Sequence, residues 1–373
     1  MRNNPLWTLR ELGQGVWLDS LSRRMLADGT LARLIAEDGV SGVTSNPTIF
    51  EHAFAARRDY EDAIARFARD GLDDAAIVRA LMVRDVVDAA DLLRPVHVRT
   101  AGADGYVSIE VSPHLAYDTV ATIREARALW AAAGRPNVLV KVPATAAGLA
   151  AIRALIADGI GVNVTLLFGT ARYEEVVEAY LCGLEERRAR GGDLRTVASV
   201  ASFFLSRIDS QVDPVLERLA AERGRAVALH GQTAMACARD AYRCFREVVA
   251  GARFRDLRAS GARAQRLVWA STGTKNPAYS DIKYVESLVG ADTFSTMPPE
   301  TLAAYRDHGQ PQEQLLRGAQ HAKRTLQALA LAGIRMDTVA ARLEAEGVRK
   351  FQTSHDRLLD IVGARSCALT VQA

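Results

Sequence analysis

Short apolar runs rich in β-branched residues alternate along the chain with longer segments in which apolar positions return every three or four residues. The first pattern belongs to buried strands and the second to amphipathic helices. Eight runs read as strands: 16–19, 42–47, 106–111, 138–143, 161–166, 196–202, 266–272 and 292–297. Segments such as 74–93 and 116–133 read as helices between them. Strands and helices in this alternation predict a parallel sheet, and eight such units close into an α/β (β/α)8 TIM barrel. The second crossover, 51–100, is long enough for two or three helices, so the barrel is expected to carry helical insertions. Beyond the eighth strand, residues 298 to about 362 read as further helix, including 311–331 and 336–346, before a short strand-like stretch at 368–371. We therefore expect one barrel domain over 1–373, with 298–373 as a mostly helical extension packed on it.

Composition narrows the partners. A chain that is 49% hydrophobic and 24% charged has the balance of a soluble globular protein, and a net charge of +3 over 373 residues demands no acidic partner. The densest basic stretch, 253–266, holds five arginines but no interleaved aromatic ladder, no Cys/His finger spacing and no nucleic-acid module, and it reads as a solvated face. Cys182, Cys237, Cys244 and Cys367 lack metal-ligand or CxxC spacing, so no metal site and no disulfide framework is expected. The first residues lack a signal peptide's apolar core, and no run approaches the ~20 apolar residues of a membrane span. The expectation is a cytoplasmic protein without a membrane or nucleic-acid partner.

Chemistry enters through one lysine. Of 47 basic residues only five are lysines and 42 are arginines, yet Lys141 interrupts the apolar run Val138-Leu139-Val140-Lys141-Val142-Pro143. Arginine does not lose its proton near neutrality, whereas a desolvated lysine can, and a neutral amine attacks carbonyls to form a Schiff base. The plainer reading is a strand-end lysine whose head snorkels to water. Other polar groups fall near the same strand ends: Asp19, Asn46, Glu110, and Asn163 with Thr165, two apart on one strand face. Taken singly, Asp19 could cap a helix, Asn46 could mark a turn, Glu110 could serve a salt bridge, and Asn163 and Thr165 could be satisfied core polars. Five successive strands each delivering a polar group to one end is more simply a shared pocket.

A Schiff-base enzyme needs that inventory. A free lysine with pKa about 10.4 is less than ~0.1% neutral at pH 7, so its site must lower that value by desolvation or positive neighbours. A carboxyl such as Glu110, working through a water held by Thr165, can relay the protons that expel a carbinolamine hydroxyl. Asp19 is of the type that accepts a proton from the substrate hydroxyl when a C–C bond breaks. The later strands supply cations: the sixth runs into Ser202-Phe-Phe-Leu-Ser-Arg207 and the seventh into Ser271-Thr-Gly-Thr-Lys275. An arginine fork, hydroxyls, a lysine and a glycine-containing loop can share a phosphate, which barrels of this type often bind near strands seven and eight.

The segments Trp17–Ser20, Gly42–Phe50, Ile109–Ser112, Val140–Thr145, Gly161–Phe168 and Ala270–Pro277, in this order, resemble transaldolase, a class I aldolase-type barrel family of the pentose phosphate pathway. The resemblance spans about residues 5 to 350 and fits the longer-chain branch. It implies that Lys141 forms the Schiff base, Glu110 and Thr165 handle the catalytic water, and Asp19 shuttles the proton at the cleaved bond. It implies that Asn46 and Asn163 orient donor hydroxyls and Ser202 lines the sugar pocket, with Arg207, Ser271 and Lys275 at the phosphate. Many family members carry an arginine shortly after the seventh-strand serine; this chain departs from them with Thr-Gly-Thr-Lys, which leaves open which group after strand seven binds the phosphate. The implied reaction moves dihydroxyacetone from sedoheptulose 7-phosphate to glyceraldehyde 3-phosphate, giving erythrose 4-phosphate and fructose 6-phosphate, with no cofactor and no metal. The partners are small phosphorylated sugars, and the assembly is expected to be a monomer or homodimer.

Two other readings differ in what they ask of Lys141. A phosphosugar isomerase or epimerase on the same barrel would use Glu110 as a base without covalent catalysis and would keep much of its activity in Lys141→Ala. A catalytically dead barrel used for binding would have no need of a nucleophile, an acid/base group and phosphate contacts together.

Overall fold

The computed structural model describes residues 4–55, 58–223 and 229–370. Eight parallel strands pair in sequence order: β1 (Gln14–Leu18), β2 (Gly42–Val43), β3 (Val107–Glu110), β4 (Val138–Pro143), β5 (Val162–Leu167), β6 (Ser199–Phe204), β7 (Arg266–Ala270) and β8 (Thr293–Met297). The sheet closes where β8 bonds β1, from Gln14 opposite Thr293 to Leu18 opposite Met297. The fold is thus the (β/α)8 barrel with helical insertions and a C-terminal helical extension.

Alternation along each strand sorts the side chains. Val16, Ile109, Val140, Val164 and Trp269 face outward into the core beneath the helices. Trp17, Tyr106, Leu139, Val200, Val268 and Phe294 form a separate cluster that fills the lower barrel. Trp17 and Phe294 pack with ring centroids 4.4 Å apart and planes tilted by 33°. Gly42 makes room for this, since a Cβ there would sit 2.4 Å from Trp17 Nε1. Burying each large apolar side chain stabilises the fold by roughly 1.5–3 kcal/mol, so this plug anchors the strands before any site is built on them.

Several boundaries differ from expectation for identifiable reasons. β2 is two residues long instead of 42–47, because Ser45 Oγ donates to Ser108 O (2.7 Å) and Asn46 already caps the helix Pro47–Ala55 through Ile49 N (3.0 Å). β6 starts at Ser199 instead of 196, because Asp193 holds a 3-10 turn over Leu194–Thr196. The helix predicted over 74–93 runs from Asp74 to Arg99, past Pro95; the lost hydrogen bond there is offset by continued burial of Val96. The long second crossover holds the helices Pro47–Ala55, Glu61–Arg69 and Asp74–Arg99.

The C-terminal region departs further. The helix expected from 311 begins at Ala319, because Gln314 N and Leu315 N bond instead to Val289 O (2.9 and 3.2 Å). One 35-residue helix, Met336–Thr370, replaces the shorter helix and the strand-like 368–371. A strand there would need a free sheet edge, and a closed barrel has none; Val371 lies outside the described residues. This helix packs on Pro47–Ala55, Glu61–Arg69 and Asp74–Arg99 and reaches the end of β5.

The arginine-rich stretch 253–266 is not uniformly a solvated face. Arg253 pairs with Glu178 and Glu185 at the surface (2.6 and 2.7 Å). Arg266 opens β7, shares the inward parity of Val268, and lays its guanidinium 3.9 Å from the centroid of Phe294, closing the barrel bottom. The four cysteines are free. No helix among the described residues is long and apolar enough to cross a membrane.

Candidate active site

Register brings the central groups to one level. Glu110 on β3 is the Cα partner of Lys141 on β4, and Lys141 is in turn the partner of Asn163 on β5; Thr165 stands one inward position higher, opposite Pro143. Lys141 is 3% exposed, which rules out a snorkelling lysine. Its ammonium donates to Ser45 O at 3.1 Å and lies 3.4 Å from Glu110 Oε2. At that distance the contact with Glu110 is electrostatic rather than a good hydrogen bond, and both carboxyl oxygens, like Thr165 Oγ1, have no hydrogen-bond partner among the described residues. Burial pushes the Glu110 carboxyl up to about 7; the nearby Lys141 opposes the rise and Asp19 adds to it.

Around this centre the remaining groups are held by short chains of hydrogen bonds. Asn163 Nδ2 donates to Ser108 Oγ (2.9 Å), and its Oδ1 accepts from Ser202 Oγ (2.7 Å), so the amide is fixed in one orientation. Asp19 lies just past β1, and its backbone N–H bonds Met297 O. It is not a helix cap; Ser22 caps the following helix, Arg23–Ala27. Its Oδ1 accepts from Thr44 Oγ1 (2.6 Å), whose oxygen lies 2.7 Å from Thr296 Oγ1. Asn46 spends its oxygen on the cap to Ile49, and its amide nitrogen has no partner among the described residues.

A cleft of about 270 Å³ opens above these groups, and Asp19, Asn46, Lys141, Ser202, Arg207, Ser271 and Lys275 line it. Glu110, Asn163 and Thr165 sit buried in the neighbouring strands that form its base. All ten residues singled out in the sequence therefore gather at the C-terminal ends of the strands, where catalytic groups of such barrels stand. A larger cavity of about 1190 Å³ lies between outer helices, lined by Arg23, Arg66, Arg84 and Arg135 with Asp88 and Asp91, away from this centre.

The rim is cationic. The Arg207 guanidinium carbon lies 5.4 Å from the centroid of Phe204 and 5.8 Å from that of Phe351. Burial pulls its pKa down, and the charges of Asp19 and Glu110 oppose that. Ser271 takes a left-handed backbone conformation (φ 54°) just after β7; its Oγ lies 2.9 Å from Ser206 Oγ, and its carbonyl accepts from Ser206 N. Leu166, next to Thr165, is also left-handed (φ 60°), at the register shift between β5 and β6. Strained positions and bulges of this kind re-aim side chains beside sites.

Sequence reasoning missed Thr44, Thr296 and Ser108, which position the acids and amides, and Lys350 and Phe351 of the C-terminal helix, which also line the cleft. Only Lys350 carried a signal, being one of the five lysines.

Known proteins align with this chain along nearly its whole length. The family profile described as Transaldolase/Fructose-6-phosphate aldolase matches residues 16–362. A curated transaldolase of Thiobacillus denitrificans is 50% identical over 352 residues, covering 94% of this chain and 98% of that protein. One of Thermobifida fusca is 48% identical, covering 98% of this chain and all of that protein. One of Mycolicibacterium smegmatis is 46% identical, covering 96% and 97%.

Proposed function

The chain belongs to the transaldolase/fructose-6-phosphate aldolase family, and on that premise we propose that it catalyses the transaldolase reaction, with the residues at the cleft in the following roles. Lys141 passes its ammonium proton to Glu110, 3.4 Å away, and the neutral Nζ attacks the C2 carbonyl of a ketose phosphate. Glu110, poised near neutrality by burial, gives a proton through a water held by Thr165, so that the carbinolamine hydroxyl leaves as water and an iminium forms. Asp19 then takes the proton of the C4 hydroxyl, the C3–C4 bond breaks, and its electron pair moves into the enamine of the retained three-carbon unit. An aldose leaves with its new carbonyl. Addition of the enamine to the aldehyde of the acceptor reverses these steps, and hydrolysis frees the new ketose.

Under this reading Asn46 and Asn163 hold hydroxyls of the retained fragment, Ser202 fixes Asn163, and Arg207, Ser271 and Lys275 receive the phosphate. Sedoheptulose 7-phosphate and glyceraldehyde 3-phosphate are the proposed substrates, and a cytoplasmic location is part of the same proposal. We further propose that residues 1–373 form one barrel domain, since the C-terminal helix packs on three barrel helices. The observation that carries the reading is the buried Lys141–Glu110 pair at the base of a cleft whose wall carries Arg207, Lys275 and Lys350. An isomerase relying on Glu110 alone gives the buried ammonium no task.

The test is to supply both substrates and follow erythrose 4-phosphate and fructose 6-phosphate. Transfer that requires the acceptor is expected; steady release of free dihydroxyacetone without an acceptor would make the protein a simple aldolase instead.

A further inference from the structure

The C-terminal helix does more than cover the barrel. Gly347, Lys350, Phe351 and Ser354 are spaced three and four residues apart and share one helix face. A Cβ on Gly347 would lie 2.8 Å from Leu166 Cδ2 and 3.5 Å from Arg207 Nη1, so the helix backbone passes close to the guanidinium. Phe351 packs on that same guanidinium, and Ser354 Oγ lies 2.9 Å from Thr48 Oγ1 on the neighbouring helix. Lys350 thereby comes to line the cleft together with Arg207, Lys275 and Lys141, so three of the chain's five lysines surround one small volume.

These rim cations differ from several surface arginines. Arg127, Arg135, Arg188 and Arg243 each meet a carboxylate within 2.7 Å. Arg207, Lys275 and Lys350 have neither an ion pair nor a hydrogen bond among the described residues. Glu51, the acid that bears on Lys350, is engaged by Arg357 at 3.4 Å, and Glu300 also stands on the cleft wall. Burial first, and then Arg207 and Lys275, hold the Lys350 ammonium below its ordinary value. Cations crowded together without ion-pair partners are stabilised by an anion placed among them, and a phosphate monoester with about −1.5 to −2 charges and three acceptor oxygens suits three donors.

We propose that Lys350 is a third cationic ligand of the sugar phosphate, delivered by the C-terminal helix, and that it sets the preference for phosphorylated over phosphate-free carbonyl substrates. The proposal rests on Lys141 as the imine-forming residue. Its test compares the concentration dependence of borohydride-trapped adduct on Lys141 for fructose 6-phosphate and for dihydroxyacetone, in the full-length protein and in Lys350→Met and Lys350→Arg. For Lys350→Met the half-saturating fructose 6-phosphate concentration is expected to rise about tenfold, near the scale of one hydrogen bond to a charged group. The dihydroxyacetone curve should stay in place, inhibition by inorganic phosphate should weaken by a similar factor, and Lys350→Arg should recover most of the loss. Equal displacement of both curves, or no displacement for fructose 6-phosphate, overturns the proposal. Absence of any adduct on Lys141 in the unmodified protein would strike the functional reading instead.

Discussion

The two ends of the barrel interior are built from the same eight strands and have opposite chemistry. At the lower end Trp17, Tyr106, Leu139, Val200, Val268 and Phe294 fill the space, Arg266 lies over Phe294, and Asp104 accepts from Trp17 Nε1 at 2.9 Å. At the upper end Glu110 and Thr165 are buried without hydrogen-bond partners among the described residues, and Arg207, Lys275 and Lys350 have no ion-pair partners there. One inward position along a strand separates Trp17 from Asp19 and Leu139 from Lys141. Unsatisfied buried polar groups cost stability, about 1–3 kcal/mol each. The lower end meets that cost through apolar packing, so the upper end is free to hold groups arranged for a substrate rather than for one another.

The contrast predicts that changes at the top remove activity and spare the fold, and that changes at the bottom do the reverse. The largest effect is expected for Lys141→Met, with kcat reduced at least about a thousand-fold, since Lys141 is the amine set beside Glu110 at the base of the cleft, whereas Lys275 and Lys350 stand on its rim. Its circular dichroism should match that of the unmodified protein.

Glu110→Gln should slow imine formation by ~10²–10⁴-fold, the range for a lost general acid–base, with little change in ketose affinity in single-turnover measurements. It should also abolish a limb near pH 7 in the kcat profile, because burial raises the Glu110 carboxyl to about 7 from its ordinary 4.5. The same shift has a signed effect on stability. The folded state holds the proton more tightly than the unfolded chain, so the contribution of Glu110 is fully present below about pH 4.5 and is lost as pH rises through about 7. Thermal melts should therefore show Glu110→Gln gaining on the unmodified protein across that window and not above it.

At the other end, Phe294→Ala should destabilise by ~3–5 kcal/mol through the cavity it leaves, with near-normal kcat per folded molecule at low temperature. A large kcat loss in that variant at full folding would break the division of labour between the two ends.

Much of this division was legible beforehand. Binary pattern revealed the eight strands because parallel strands buried on both faces read as continuous apolar runs, and polar interruptions such as Lys141 and Glu110 stand out against them. What escaped had weak local signals. Thr44 and Thr296 are ordinary threonines until closure of β1, β2 and β8 places them beside Asp19. The continuous helix Met336–Thr370 and the role of Lys350 depend on contacts with residues far away in the chain, such as that of Gly347 with Leu166. Strand ends shifted wherever a side chain offered the backbone another partner, as Asp193 does before β6.

The central claim is that Lys141 is the nucleophile, and it is tested most directly by incubating the protein with fructose 6-phosphate, reducing with borohydride and mapping the adduct by peptide mass. A single three-carbon adduct on Lys141, absent in Lys141→Met, is the predicted result. Full activity with Lys141 unmodified, or an adduct on another lysine, would contradict it.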